Sequence, residues 1–277
     1  MYMLEILLHP FVQRAIIAIL LTSLAAALVG TFMVFRGLSF LVSGVAHAAL
    51  GGAALGIFLE TSGLAPFIDP LLGALLFGIL VALITGVAGE AGVSGRMEVA
   101  IGVSFAFAMS IAVFFMFYIP PERVPQIWGY LIGDLLLLTE KDILLLFTAC
   151  FTLAIIVVLF HREFVYVSFD MDALIAQGVN AKVYHYLMLI TMAIAIIVAT
   201  KAIGAILVYA ILVAPAAVAV EWGKSVNQVM LLVFILALTS QMLGLISSFQ
   251  WNFSPSAVAG IVAATIYLIT LAKKKAK

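Results

Sequence analysis

Long apolar runs follow one another along almost the whole chain, and that succession leaves few folds open. They lie at roughly 11–35, 41–59, 66–89, 97–118, 142–160, 184–200, 203–220, 228–249 and 255–273, each close to the ~20 apolar residues that cross a hydrocarbon layer. Only 9% of the 277 residues are charged, against about 25% in a soluble domain. Such a chain cannot cover a water-facing surface. The fold class expected is all-α, because helices satisfy their own backbone groups in lipid. The expected architecture is a polytopic membrane bundle of about eight or nine transmembrane helices, one domain over 1–277, with one run a candidate for a broken or re-entrant helix. The first run exceeds a signal-peptide core and no basic segment precedes it, so it reads as a retained helix.

The weakest stretch is 120–138. Pro120, Pro121 and Pro125 stop a helix, and Trp128 favours the membrane boundary, so a short surface or partly re-entrant helix is expected there. Orientation follows the Lys/Arg bias. With the C-terminal KKKAK in the cytoplasm and nine crossings, Arg36, Arg96, Arg162, Lys182, Lys224 and the tail lysines fall inside. Arg14, Arg123, Lys141 and Lys201 fall outside, which puts the N-terminus outside. The formal net charge is zero, which excludes strong attraction to nucleic acid. The single cysteine, Cys150, cannot form an internal disulfide.

The longest loop on the inner side, His161–Tyr186, contains a short predicted helix over 168–178. Ser168 or Asp170 can cap its start, and Gly178 can close it. Met171, Leu174 and Ile175 form an i, i+3, i+4 apolar patch. That patch suits a docking partner, and it also suits rest on the chain's own bundle or on lipid headgroups. Small residues at helix-packing spacing, Gly52 with Gly56, Gly129 with Gly133, and the series Gly86, Gly89, Gly92 and Gly95, predict close helix approach.

Catalytic motifs are absent. No H-E-x-x-H, C-x-x-C or G-x-S-x-G occurs. Gly223-Lys224-Ser225 resembles the end of a phosphate loop, but Val218 stands where the motif needs glycine, so ATP is not expected to bind this chain by that route. Polar residues inside the runs are few. His47 and Ser43 are four apart and share a helix face, with Gly44 and Gly51 leaving room beside them. Intramembrane ionisable groups usually face a bundle interior or an aqueous path. Neutral imidazole is also a good transition-metal ligand. The residues alone leave a second reading, an imidazole bonded to a carbonyl of a neighbouring helix. Pro215 predicts a bend in the 203–220 run. Glu60 and Asp134 fall near the outer interface, Lys201 reads as a snorkelling end residue, and His161 and His185 are expected to meet water. Met109 and Met116 read as packing.

The segment RGLSFLVSGVAHAALGG (Arg36–Gly52) resembles the second-helix motif of the ABC-3 permeases, the membrane subunits of ATP-binding-cassette importers for zinc, manganese and iron. Met97–Phe115, Gly129–Ile143, Phe169–Leu187, Ala205–Val220 and Asn252–Ala257 are similar, in order, to later segments of that family. The resemblance implies a multi-pass permease of the cytoplasmic membrane that is not itself an enzyme and binds no cofactor. Its implied partners are a second copy of itself, a cytoplasmic ATPase dimer, an extracytoplasmic metal-binding protein and membrane lipid. It makes 168–178 a coupling helix, with Met171, Leu174, Ile175 and Gly178 facing the ATPase. It places His47 and Ser43 on the substrate path, with His47 the candidate contact for a divalent metal. One position departs from the motif: the family's aspartate is Ser43 here, and the preceding glycine is Val42. Serine offers a neutral oxygen where a carboxylate would offer charge. A chelated or neutral substrate, or selectivity held by the binding protein, becomes easier to accommodate. A self-sufficient secondary transporter or channel is the alternative.

Overall fold

The computed structural model describes residues 9–90, 94–133, 135–251 and 253–275. Asp134, Gly92, Asn252 and Lys277 lie outside them, and the Arg96 side chain is likewise not described. Every regular element among these residues is helical.

Helix ends follow from local chemistry. Thr139 begins α6 (Glu140–Leu159) with a reciprocal capping box, its hydroxyl accepting from the Asp142 amide while the Asp142 carboxylate accepts from the Thr139 amide. Gly133 ends α5 (Val124–Ile132), and Gly204 ends α9 (Ala181–Ile203). Both have positive φ, 64° and 92°, which a side chain would strain. Each glycine's Cα lies against the other's backbone neighbours. The Ala205 and Ile206 amides continue this contact by donating to the Tyr130 and Leu131 carbonyls at 2.9 and 3.3 Å.

The chain, read from sequence as one domain, divides into two compact units. One comprises Leu38–Gly133 and Arg162–Val208. It holds α2 (Leu41–Thr61), α3 (Pro70–Glu90), α4 (Ser94–Met116), α5, most of α7 (His161–Phe169), α8 (Met171–Ala176) and α9. Most of α2 and α9 is buried, whereas α4 exposes Val99, Val103, Phe107, Val113 and Phe114 along a flank suited to lipid. Helices α2 and α3 touch through backbone: a Cβ on Gly52 would meet the Gly73 carbonyl and come within 2.8 Å of Phe77 Cβ.

The other unit comprises Met1–Gly37, Asp134–His161 and Tyr209–Lys277. It holds α1 (Pro10–Phe35), α6, α11 (Ala214–Trp222), α12 (Val226–Trp251) and α13 (Pro255–Lys275), together with all but the first residue of α10 (Val208–Leu212). Helix α1 carries a π-helical insert at Ala26–Gly30. Gly30 there abuts the Leu212 carbonyl, a contact that a side chain would block.

Eight helices, α1 to α4, α6, α9, α12 and α13, are long and apolar enough to cross a membrane. The remaining run is the broken one. The stretch 203–220 is not one helix: it breaks after Ile203 and again at Val213, just before Pro215. Proline lacks an amide hydrogen and its ring clashes with the carbonyl four residues back, so the helix cannot run through. The interrupted stretch Val208–Trp222 covers only about 22 Å at 1.5 Å per residue. The stretch after Pro120 forms a short helix as expected. Helix α5 buries Ile127 and Tyr130 and exposes Trp128 and Ile132.

Candidate functional site

Helix α2 is buried along most of its length, and Ser43 and His47 are two of its few partly exposed positions. They share a face, as their four-residue spacing requires. The His47 Nδ1 lies 2.8 Å from the Ser43 carbonyl oxygen. A carbonyl only accepts, so Nδ1 carries a proton, and in the neutral ring the lone pair is on Nε2. Donation from one ring nitrogen to a carbonyl is also what orients a metal-binding imidazole. Bonding to a neighbouring helix, the second reading of this residue, is replaced by bonding within α2. The ring is held from the other side by Phe105 of α4, edge-on, with centroids 4.5 Å apart.

The space expected beside His47 at Gly44 and Gly51 is filled. A Cβ on Gly44 would come within 2.5 Å of Ile101 Cγ2, and one on Gly51 would meet the Ala108 carbonyl. The two glycines, seven residues apart, seat α4 against α2 rather than opening a chamber. Their role is to bring Phe105 onto the imidazole. One turn further along α2, Leu50 borders a cavity of about 100 Å3 together with Met109, Met116, Ile127 and Trp128. The two methionines thus line a cavity as well as pack.

Among the described residues no three His, Cys, Asp or Glu side chains converge. A dication passing His47 would find one strong protein ligand there from a single chain, with the Ser43 hydroxyl as a weaker neutral neighbour.

At the other end of the same unit lies the loop that carries α7 and α8. The single helix expected over 168–178 is two helices. Helix α7 ends at Phe169, Asp170 turns the chain at φ −154°, and α8 follows. Asp170 is the cap, its carboxylate accepting from the Ala173 amide at 2.9 Å. Ser168 lies inside α7, buried, its hydroxyl donating to the Phe164 carbonyl. Gly178 closes the segment at φ 78°, as predicted. The apolar patch is divided. Leu174 is 2% exposed and belongs to the core of its unit, Ile175 is 56% exposed, and Met171 is intermediate. Of the three patch residues, Ile175 is the most exposed. The Tyr166 hydroxyl ties α7 to the end of α8. Hydrogen bonds with the Gln177 and Arg162 side chains draw it below the ordinary phenol pKa.

Pro215 is buried in the first turn of α11. It belongs to the other unit from His47 and from α8. His161 is partly exposed, with its ring near Phe32 at 6.0 Å. His185 departs from expectation: it is 5% exposed, because the first turns of α9 are already packed into the unit. At the opposite end, Glu60 pairs with Arg123 at 2.9 Å, joining two residues that the charge bias places outside.

Sequence reasoning passed over two features. Phe105 is one of 20 phenylalanines, and nothing in its local pattern marks it as the neighbour of His47. Gln241 is more telling. Its amide is fully buried, accepts from the Thr22 hydroxyl at 2.9 Å and donates to the Ser23 hydroxyl at 2.9 Å. An amide in a long apolar helix is as costly as a histidine, and the argument applied to His47 would have found it.

Comparison with known proteins agrees with this arrangement. The ABC 3 transport family matches residues 8–274. The chain is 30% identical over 273 residues to the uncharacterized membrane protein slr2045 of Synechocystis, covering 99% of this chain and 94% of that one. It is 28% identical to the manganese import system permease protein ScaB of Streptococcus parasanguinis, covering 94% and 89%. It is also 28% identical to the chelated iron transport system membrane protein YfeD of Yersinia pestis, covering 95% and 85%. The fold is similar to that in PsaBC from Streptococcus pneumoniae in complex with Fab, with a TM-score of 0.81 at 24% identity over 95% of this chain and 91% of that one. From its first described helix to its last, this multi-pass membrane protein belongs to the ABC 3 transport family.

Proposed function

We propose that the chain is the membrane-spanning permease of an ATP-driven importer of a divalent transition metal, free or chelated, and that a separate subunit hydrolyses the ATP. The observation that carries this reading is the match of a single transport family to 8–274. Two relatives of nearly full coverage have names that specify manganese import and chelated iron transport. Zinc remains within the range implied by the second-helix motif. The working assembly is a pair of these chains, a cytoplasmic ATPase dimer and an extracytoplasmic binding protein that delivers the substrate.

In this reading His47 lines the path and offers Nε2 to the passing ion, while Ser43 adds a neutral oxygen. One strong ligand suits transit, since an ion held by three or four would not leave. Selectivity then rests largely with the binding protein. The exposed Ile175 and the cap of α8 face the ATPase, whose nucleotide cycle shifts the permease between outward-open and inward-open populations.

The test is metal-resolved uptake into proteoliposomes holding the permease, its ATPase and its binding protein. Uptake of manganese, iron or zinc that requires ATP, and that falls at least about tenfold (1.4 kcal/mol at the barrier) in His47→Ala with assembly intact, supports the reading. Unchanged transport in that variant across metal concentrations removes His47 from the path. Uptake without any ATPase would favour a secondary transporter or channel instead.

A further inference from the structure

An open groove lies far from His47 in sequence, at the ends of α11 and α13. It holds about 590 Å3 between Glu221, Trp222, Ile266, Ile269, Lys273 and Lys274. Its walls are mainly apolar and its rim is charged. Glu221 and Lys274 close one side, with the ammonium 2.9 and 2.8 Å from the two carboxylate oxygens. That ion pair neutralises the acidic residue. Lys273 remains an exposed cation with no ion pair among the described residues. Trp222 is 52% exposed at the end of its helix, where an indole suits the headgroup level of a bilayer. Ile269, on the groove wall, is 51% exposed, a surface that in a membrane protein faces acyl chains.

We propose that this groove binds an anionic phospholipid. The phosphate sits at Lys273, Trp222 packs against the glycerol region, and the first part of an acyl chain lies along Ile266 and Ile269. Charge complementarity selects the lipid. A zwitterionic headgroup brings its own cation toward Lys273, whereas an anionic one leaves the attraction uncancelled. Basic pockets between transmembrane helices recognise acidic headgroups on this principle. The Glu221–Lys274 pair prevents a free carboxylate from repelling the phosphate. The site is independent of what the permease carries.

Trp222 is its own reporter. The full chain carries three tryptophans, and replacing Trp128 and Trp251 with Phe leaves Trp222 alone. This variant, checked for native helicity by circular dichroism, is reconstituted with brominated phosphatidylglycerol or brominated phosphatidylcholine diluted in unlabelled lipid. Quenching is expected at about fivefold lower mole fraction of the anionic lipid, the preference that one basic residue near a charged surface supplies. Lys273→Glu should abolish that preference and Lys273→Gln should reduce it, while Lys141→Glu at the start of α6 should leave it unchanged. Equal quenching by both lipids, or a preference retained in Lys273→Glu, would overturn the proposal. Absence of quenching by either lipid would also overturn it, since a protein surface would then cover Trp222.

Discussion

Replacing Gly51 with Ala tests whether the α2–α4 seam, rather than His47 itself, is what holds the site. The added Cβ would overlap the Ala108 carbonyl oxygen and lie 2.9 Å from its carbon and 3.1 Å from Ala108 Cα. Carbon atoms rest at about 3.5–4.0 Å, and the obstacle is backbone, so no rotamer change relieves it. The helices must part by roughly 0.5–1 Å, a gap that forfeits about a quarter to a half of each contact across it. Overpacking of this kind costs about 1–3 kcal/mol. Alanine also gains over glycine in helix propensity, by about 1 kcal/mol, so a control must carry the same gain. Gly102, on α4, has nothing within 4 Å of its would-be Cβ, and Gly102→Ala supplies that control. Both variants are unfolded by titration with sodium dodecyl sulfate in mixed micelles and followed by circular dichroism. Gly51→Ala is expected to be about 1–3 kcal/mol less stable than Gly102→Ala. It should also transport less in the reconstituted system, because Phe105 withdraws from the imidazole. Equal stability of the two variants would refute the argument that backbone contact at Gly51 sets the seam.

Leu174→Ala should destabilise the unit by about 2–5 kcal/mol, as for other buried leucines, whereas Ile175→Glu should leave the unfolding midpoint unchanged and abolish stimulation of the partner ATPase; retained stimulation would remove Ile175 from the docking surface. Ser43→Asp adds a carboxylate to the face that carries Nε2, so it should tighten dication retention, measured by elemental analysis of the purified permease, and slow release into the vesicle. Gln241→Leu removes the contacts from Gln241 to Thr22 and Ser23, while Thr22 keeps the Ala18 carbonyl, and should cost about 0.6–1.7 kcal/mol, the range for buried polar contacts within membranes; an unaltered midpoint in detergent unfolding would show that the cluster is energetically idle.

Hydropathy made the bundle legible because eight runs are long, continuous and free of prolines at their centres. It failed over 203–220 because a windowed average does not register a broken hydrogen-bond ladder. Pro215 marked the break at Val213, but the other break, after Ile203, depends on Gly204 meeting Gly133, a contact across 71 residues of chain. Similar reasoning applies to α8. Its i, i+3, i+4 patch was readable, yet which member is buried depends on how a six-residue helix rolls onto its unit, and that is set by Asp170 and Gly178 at its two ends. His185 was misplaced for a related reason. Loop proximity suggested water, while the packing of α9 begins at its first residue, Ala181, itself 2% exposed.

Ser43 and His47 show how charge and geometry can be separated at one site. The bond that fixes the imidazole tautomer runs to the backbone carbonyl of residue 43, not to its side chain. Any residue at 43 that keeps the helix therefore keeps that carbonyl within reach of Nδ1. The aspartate of the family motif and the serine of this chain must then differ in field and not in the pose of the histidine. A carboxylate 4 Å from the ion at an effective dielectric of 20 would contribute about 4 kcal/mol per unit of charge before desolvation. Serine removes that attraction while leaving the ligand aimed. If His47 lines the path as proposed, a path built this way would hold a dication less and pass it more readily, or accept one whose charge is already met by a chelator, with the same imidazole in the same place.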